Sequence, residues 1–224
     1  MKIQHFVKIY FAWDKVVTPE WIAARLAIFQ QYTLRSLQAQ SCQDFTIWFA
    51  CDAGMEKIMQ PFREACPFAV FTFGPGVPEA PQGNDAAYVY VTRIDSDDMY
   101  APGALELIRD FKPRFGVVEA VVGQRGYLHD VRDGRWGCYW NDSSPFHTLI
   151  YPHAAFRSPE RHARTVIEHS HIRSHFPSRI LPPWQFCFIL HGLNIASTWD
   201  YNCDPKVKAP ADMSVETFLH GAPP

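Results

Sequence analysis

Apolar and polar positions alternate along the chain in blocks that predict a repeated strand–helix order. His5 to Ala12 is an apolar, aromatic-rich run that reads as a buried first strand, with Trp13-Asp14 at its end. Thr18-Pro19-Glu20 has the form of a helix start, an N-cap residue followed by proline at the first helical position. Trp21, Ile22, Leu26, Phe29, Leu34 and Leu37 then supply an apolar stripe at helical spacing as far as about Gln40. Phe45 to Asp52 is a second strand ending in a carboxylate, Gly54 to Ala65 a helix, and Phe68 to Phe73 a third strand. Residues 74–86 are rich in glycine and proline and predict a surface loop. A fourth strand over 87–94 precedes Pro102-Gly103 and a helix from Ala104 to Phe111. This rhythm predicts an α/β fold, with a central, mostly parallel sheet covered by helices.

The second half is less regular. Gly116 to Val122 reads as a strand, and Tyr127–Val131 and Arg135–Trp140 flank Arg132-Asp133-Gly134, whose Asp-Gly pair favours a tight hairpin. Phe146 to Tyr151 predicts a short strand. Ser158-Pro159-Glu160 opens a helical stretch holding His162, His169, His171 and His175, and Trp184 to Leu190 reads as a buried helix. One domain over residues 1–202 is expected, with a C-terminal tail at 203–224 that wraps the surface or is loosely ordered.

The chemistry concentrates where the fourth strand ends. Thr92-Arg93-Ile94-Asp95-Ser96-Asp97-Asp98 places three carboxylates within four residues. In open α/β sheets ligands bind at the carboxyl ends of strands. Aspartates there also cap helices, but a cap uses one side chain and three are present. Three close carboxylates repel one another and call for a cation. Hard oxygen ligands suit Mg²⁺ or Mn²⁺, usually shared with substrate phosphates.

Composition narrows the alternatives. A net charge of −2 gives no basic footprint for nucleic acid. No apolar run approaches the length of a membrane span, and the lysine and polar residues of the first ten positions exclude a secretory signal. The six cysteines are scattered, without a Cys-x-x-Cys pair, which excludes a zinc ribbon and fits a reduced, cytoplasmic protein. No Gly-x-Gly-x-x-Gly follows the first strand, against a dinucleotide-binding Rossmann domain.

The chain resembles glycosyltransferases of the GT-A fold, and more narrowly the bacterial rhamnosyltransferase family. The matching residues are Arg25, Tyr32, Ser36-Leu37 and Gln40 on the long helix and Asp44-Phe45 at the second strand. The Thr92–Asp98 motif, Gly126-Tyr127, the segment Pro145–Leu149 and His191-Gly192-Leu193-Asn194 complete the set. The resemblance implies a GT-A-like α/β/α sandwich and a metal-dependent transfer of a sugar, rhamnose among the candidates. The donor would be a nucleotide-diphosphate sugar and the acceptor a glycan or lipid-linked precursor. It implies Asp97 as direct metal ligand and Asp95 at the ribose or at the ion through water, with Asp98 orienting them. Arg93 would lie near the diphosphate, and Arg25 and Asp52 near the base and ribose. A late histidine would complete the metal shell, His191 first and His169 second.

A base for the acceptor hydroxyl is also needed, and Asp142 and Glu168 are the candidates. Three other readings compete. A non-catalytic relative of the same fold would bind carbohydrate or nucleotide without turnover. A sugar nucleotidyltransferase shares the architecture but expects a glycine-rich loop where Trp13-Asp14-Lys15 stands. A haloacid-dehalogenase-type phosphatase would carry its Asp-x-Asp on the first strand, whereas here it is mid-chain. The length allows for a second subunit or partner protein on the acceptor side.

Overall fold

The computed structural model describes residues 2–11, 18–78, 86–156, 169–194 and 197–221. The first half follows the predicted order: β1 (Ile3–Phe11), β2 (Thr46–Cys51), β3 (Val70–Phe73) and β4 (Tyr88–Ile94), with helices between the first three. Thr18 caps the first helix, α1 (Pro19–Ile28), by accepting the Trp21 N–H at 3.2 Å, and Pro19 opens its first turn. The helix then winds through a π-helical turn at Phe29–Leu34 before finishing as α2 (Arg35–Gln38). The second helix is shorter than its apolar pattern predicts, covering only Gln60–Ala65. Gly54 turns the chain at φ +87°, and Pro61 near the N-terminus accounts for the late start.

Among the described residues seven strands form the main sheet in the order β10-β6-β9-β4-β1-β2-β3, where β6 is Glu119–Val122, β9 His147–Pro152 and β10 Ser178–Ile180. β1 lies parallel to both β2 and β4, β2 parallel to β3, and β9 runs antiparallel between β4 and β6. The result is the expected mixed, mostly parallel α/β sheet. Strands β1, β2 and β3 step outward to one edge. The chain then returns to the other side of β1 to lay down β4, which makes the β1–β4 boundary the topological switch point of the sheet.

Side chains alternate across the pleat. Val7, Ile9, Phe49, Tyr90 and Ile94 enter a core with Phe29, Leu34 and Phe62 from the helices, and Phe49 stacks on Phe71 at 4.6 Å between centroids. Phe6, Trp48, Val89 and Val91 enter a second core on the opposite face with Tyr151 and Phe156.

A second sheet, β5-β11-β7-β8, joins β5 (Met99–Tyr100), β11 (Phe186–Leu190), β7 (Arg125–Asp130) and β8 (Arg135–Trp140). The stretch expected as a buried helix at Trp184–Leu190 is therefore the strand β11, antiparallel to β5 and parallel to β7. Five successive buried apolar residues lack the one-sided pattern of a helix and fill a strand covered on both faces. The Asp133-Gly134 hairpin forms as predicted, with Gly134 at φ +76°. The C-terminal residues pack back onto this sheet: Cys203 bridges to Tyr139, and a Ser214-capped helix (Val215–Leu219) sets Phe218 edge-on to Tyr127 at 5.9 Å. Residues 157–168, where the histidine-rich helix was expected to begin, lie outside the described residues.

Candidate functional site

The switch point places the residue after β4 and the residue after β2 at one edge of the sheet, so Asp95 and Asp52 share it. The turn Asp95–Asp98 closes with the Asp98 N–H donating to the Asp95 carbonyl at 3.3 Å, and β5 follows at once. The segment carrying the carboxylates is held from the long helix. Thr33 donates to the Asp95 carbonyl at 3.5 Å and the Ser36 hydroxyl accepts the Tyr100 N–H at 3.3 Å. Gln40 spans the next turn, donating to the Ala101 carbonyl at 2.8 Å and accepting the Leu105 N–H at 3.1 Å. Phe146 stacks on Phe186 at 3.9 Å and meets Tyr100 edge-on, so the β9 entry and the second sheet brace the same turn. Gly126 permits this packing: a Cβ there would lie 2.5 Å from the Phe186 ring.

The three carboxylates point to three different partners. Asp97 meets Arg25, whose Nη1 lies 3.1 Å from Oδ2 while Nη2 donates to the Ser96 hydroxyl at 2.5 Å. His191 Nε2 lies 2.7 Å from the same Oδ2, and the Asn194 amide 3.4 Å away. His191 Nδ1 accepts the Leu193 N–H at 3.0 Å, and its Nε2 also lies 3.2 Å from Arg25 Nη1. Burial alone would raise the Asp97 carboxyl, but the His191 bond and the Arg25 guanidinium hold it below the usual range. Asp98 is buried, accepts the Ile189 N–H at 2.9 Å, and is pushed well above the ordinary carboxylate range by burial and by Asp97 and Asp95. Asp95 pairs with Arg93 at 2.8 Å, and Arg93 also reaches the Pro145 carbonyl at 3.5 Å.

Several expectations change accordingly. The repulsion from which a cation was expected is relieved by side chains of the protein: Arg25 and His191 at Asp97, Arg93 at Asp95, and a raised pKa at Asp98. Arg25 reaches Asp97, Ser96 and His191. His191 lies beside Asp97, as the resemblance implies, with Nε2 2.7 Å from Oδ2. Asp98 ties the turn to β11 and is closed off from the edge. Among the described residues no three His, Cys, Asp or Glu side chains assemble into a metal-binding group. One oxygen of Asp95 and Oδ1 of Asp97 keep no partner among the described residues. These fit an ion completed by substrate phosphates and waters, as Mg²⁺ prefers, and not a cage built by protein alone.

Asp52 is exposed beyond the end of β2. Asp142 lies in the segment between β8 and β9, three residues before Pro145; its exposed carboxylate pairs with Arg173 and accepts from Gln124 at 2.8 Å. Glu168 and the side chain of His169 lie outside the described residues. Sequence reasoning missed Asn194 and Ser96 as direct members of the Asp97 cluster, although both sit inside the motifs that carry the resemblance.

The family model described as "Putative rhamnosyl transferase" matches residues 12–66, the segment that carries Arg25, Ser36, Gln40 and Asp52. No curated protein matches the chain. Among solved structures, S. aureus TarS 1-349 in complex with UDP is 14% identical with a TM-score of 0.42, over 85% of this chain and 61% of its own. The same protein in complex with UDP-GlcNAc gives 13% identity and a TM-score of 0.44, over 87% and 60%. The inositol-1-phosphate CTP transferase from T. maritima gives 7% and 0.38, over 96% and 93%. The chain spans about three fifths of the length of the TarS 1-349 structures it matches.

Proposed function

We propose that the protein is a glycosyltransferase of the GT-A type that takes a nucleotide-diphosphate sugar as donor. The observation that carries this reading is the Asp95-Ser96-Asp97 turn at the switch point, locked to Arg25 of the segment that the family model matches. The donor diphosphate would lie along the sheet edge, with the uncommitted oxygens of Asp95 and Asp97 holding a Mg²⁺ or Mn²⁺ that it brings. Such an ion, when bound, supplies the Lewis acid that neutralises charge on the leaving diphosphate. The protein's own part is positional. Arg25, His191 and Asn194 fix one oxygen of Asp97 and so orient the other. Arg93 aligns Asp95 and offers a forked donor to phosphate. Asp52 stands where a ribose or base would reach the end of β2. Asp142 is the base among the described residues, released when the Arg173 pair opens. The sugar, rhamnose among the candidates, and a glycan or lipid-linked acceptor follow from the family resemblance.

Thermal melting with a panel of UDP, GDP, dTDP and CMP compounds, with and without Mn²⁺, tests the reading. A ligand that binds only the native state raises the melting point. One nucleoside diphosphate is expected to stabilise the wild type and to lose its effect in Asp97→Asn. If none shifts the melting point, the carboxylate turn is a structural lock and the transferase reading falls.

A further inference from the structure

One cation beside the site, Lys8, has no use in the arrangement above. Lys8 and Arg93 occupy matched positions on β1 and β4, the two parallel strands that flank the switch point. By alternation both project from the face that carries Phe6, Trp48, Val89 and Val91. Neighbouring strands stand about 4.8 Å apart, so the two cations start side by side. Arg93 is answered by Asp95 at 2.8 Å. Lys8 pairs with no carboxylate among the described residues. Its ammonium instead rests against aromatic rings, 4.7 Å from the centroid of Trp48 and 5.7 Å from that of Tyr10.

The two rings differ in a way that gives the site a floor and an opening. Trp48 is fully buried, with its indole N–H donated to Thr72 at 2.9 Å, and so forms a fixed floor. Tyr10 is 46% exposed and forms the side open to solvent. Cation–π contact lowers the cost of drying an ammonium but leaves its charge uncancelled. Burial and the neighbouring Arg93 bring the Lys8 amine down to about 8. A purely structural residue here would be apolar, as Phe6 is two positions earlier on the same face. A half-dried lysine set against a second cation costs stability until an anion arrives. A compact ammonium beside a planar guanidinium fork matches the tetrahedral oxygens of a phosphoryl group.

We propose that Lys8, acting with Arg93, forms a phosphate-binding subsite at the β1–β4 switch point, distinct from the Asp97 cluster and linked to it through Asp95. The subsite rests on the transferase reading only for the molecule that brings the phosphate: the donor diphosphate, or a phosphorylated acceptor.

Calorimetric titration of wild type, Lys8→Met and Lys8→Arg decides it, with four probes: the nucleoside diphosphate from the melting panel, its parent nucleoside, inorganic pyrophosphate and glycerol 3-phosphate. Lys8→Met is expected to weaken at least one phosphate probe roughly tenfold to a hundredfold, the range of a hydrogen bond to a charged group. The nucleoside should bind unchanged, Lys8→Arg should retain most of the affinity, and ligand-free Lys8→Met should melt no lower than wild type. A loss confined to the diphosphate and pyrophosphate assigns the subsite to the donor; a loss confined to glycerol 3-phosphate assigns it to the acceptor. Unchanged affinity for every phosphate probe overturns the proposal, and so does a wild type that binds none of them. A fall in melting point with equal loss of nucleoside and phosphate binding overturns it too, by making Lys8 structural. If the wild type binds pyrophosphate or glycerol 3-phosphate through Lys8 but no nucleoside diphosphate, the subsite stands and the transferase reading fails.

Discussion

The two faces of the sheet at its carboxyl edge treat charge in opposite ways. Where α1 packs, Asp97 is met by Arg25, His191 and Asn194, and Asp98 is tied to the Ile189 N–H. On the other face Lys8 stands beside Arg93 with aromatic rings in place of a carboxylate. The first arrangement answers charge within the protein, fixes the shape of the turn and turns one oxygen each of Asp95 and Asp97 to the edge. The second leaves a cation uncancelled, and the subsite proposed there would be completed by an anion.

The sharpest way to break the contrast is to remove Asp97. Its pair with Arg25 is nearly dry, with side-chain exposures of 10% and 11%, and truncating one member of such a pair costs about 3–5 kcal/mol. Asp97→Ala should therefore lower the chemical-denaturation midpoint strongly, and Arg25→Ala by a similar amount. If both melt like the wild type, the lock does not exist.

A second test concerns the buried polar row beneath both faces. His5 donates to or accepts from Thr92 at 2.8 Å, and burial, with Arg109 second, lowers its pKa to about 3. The unfolded chain takes up this proton near pH 6.5 while the native state refuses it. Stability is therefore expected to fall as pH drops from about 6.5 towards 3, by up to ~1.4 kcal/mol per pH unit for one proton. His5→Asn should flatten that slope in melting curves taken across the range.

Asp98 has the opposite sign. Its raised folded-state pKa means that the native state keeps a proton the unfolded chain has lost. The associated stability is full below the unfolded pKa and drains away as pH rises through the folded one. Asp98→Asn keeps an acceptor for the Ile189 N–H and should remove this decline, which melting curves at rising pH would show. Lys8→Met should raise ligand-free stability by about 0.5–1 kcal/mol, the gain typical of relieving a site kept for function. The smallest stability effect belongs to Asp142→Asn, since an exposed pair with Arg173 contributes about 0–1 kcal/mol. A large loss of turnover with so small a change in melting would mark Asp142 as the base.

Much of this was legible in the sequence. Thr18-Pro19 announced α1, the strand rhythm announced the parallel sheet, and Thr92–Asp98 announced the carboxylate turn at its edge. Ser36 and Gln40, legible only as matching positions, turn out to hold the turn after the carboxylates. What stayed hidden depends on long-range pairing. Trp184–Leu190 carries no period that tells helix from strand, and only β5 and β7 decide it. The Leu193 N–H that holds His191 Nδ1 is a contact that no residue pattern encodes. The compensation of Asp97 by Arg25 joins residues on separate elements, 72 positions apart. Lys8 counted only against a secretory signal, because a lysine within an apolar strand looks like an interruption until Arg93 is seen beside it.

The π-helical turn at Phe29–Leu34 has a consequence for how this chain tolerates change in length. A π turn takes one extra residue into a single wider turn, so the α-helix on either side keeps the phase it would have without that residue. Arg25 lies before the turn and Ser36 and Gln40 lie after it, yet all three grip the same short segment from Asp97 to Leu105. Their agreement is a matter of helical phase and not of any side chain in between. A single deletion between Phe29 and Leu34 would close the turn to an ordinary α-helix and leave all three on their partners. The same deletion in α2, at Leu37 or Gln38, has no wide turn to absorb it and would swing Gln40 by about 100° off Ala101 and Leu105.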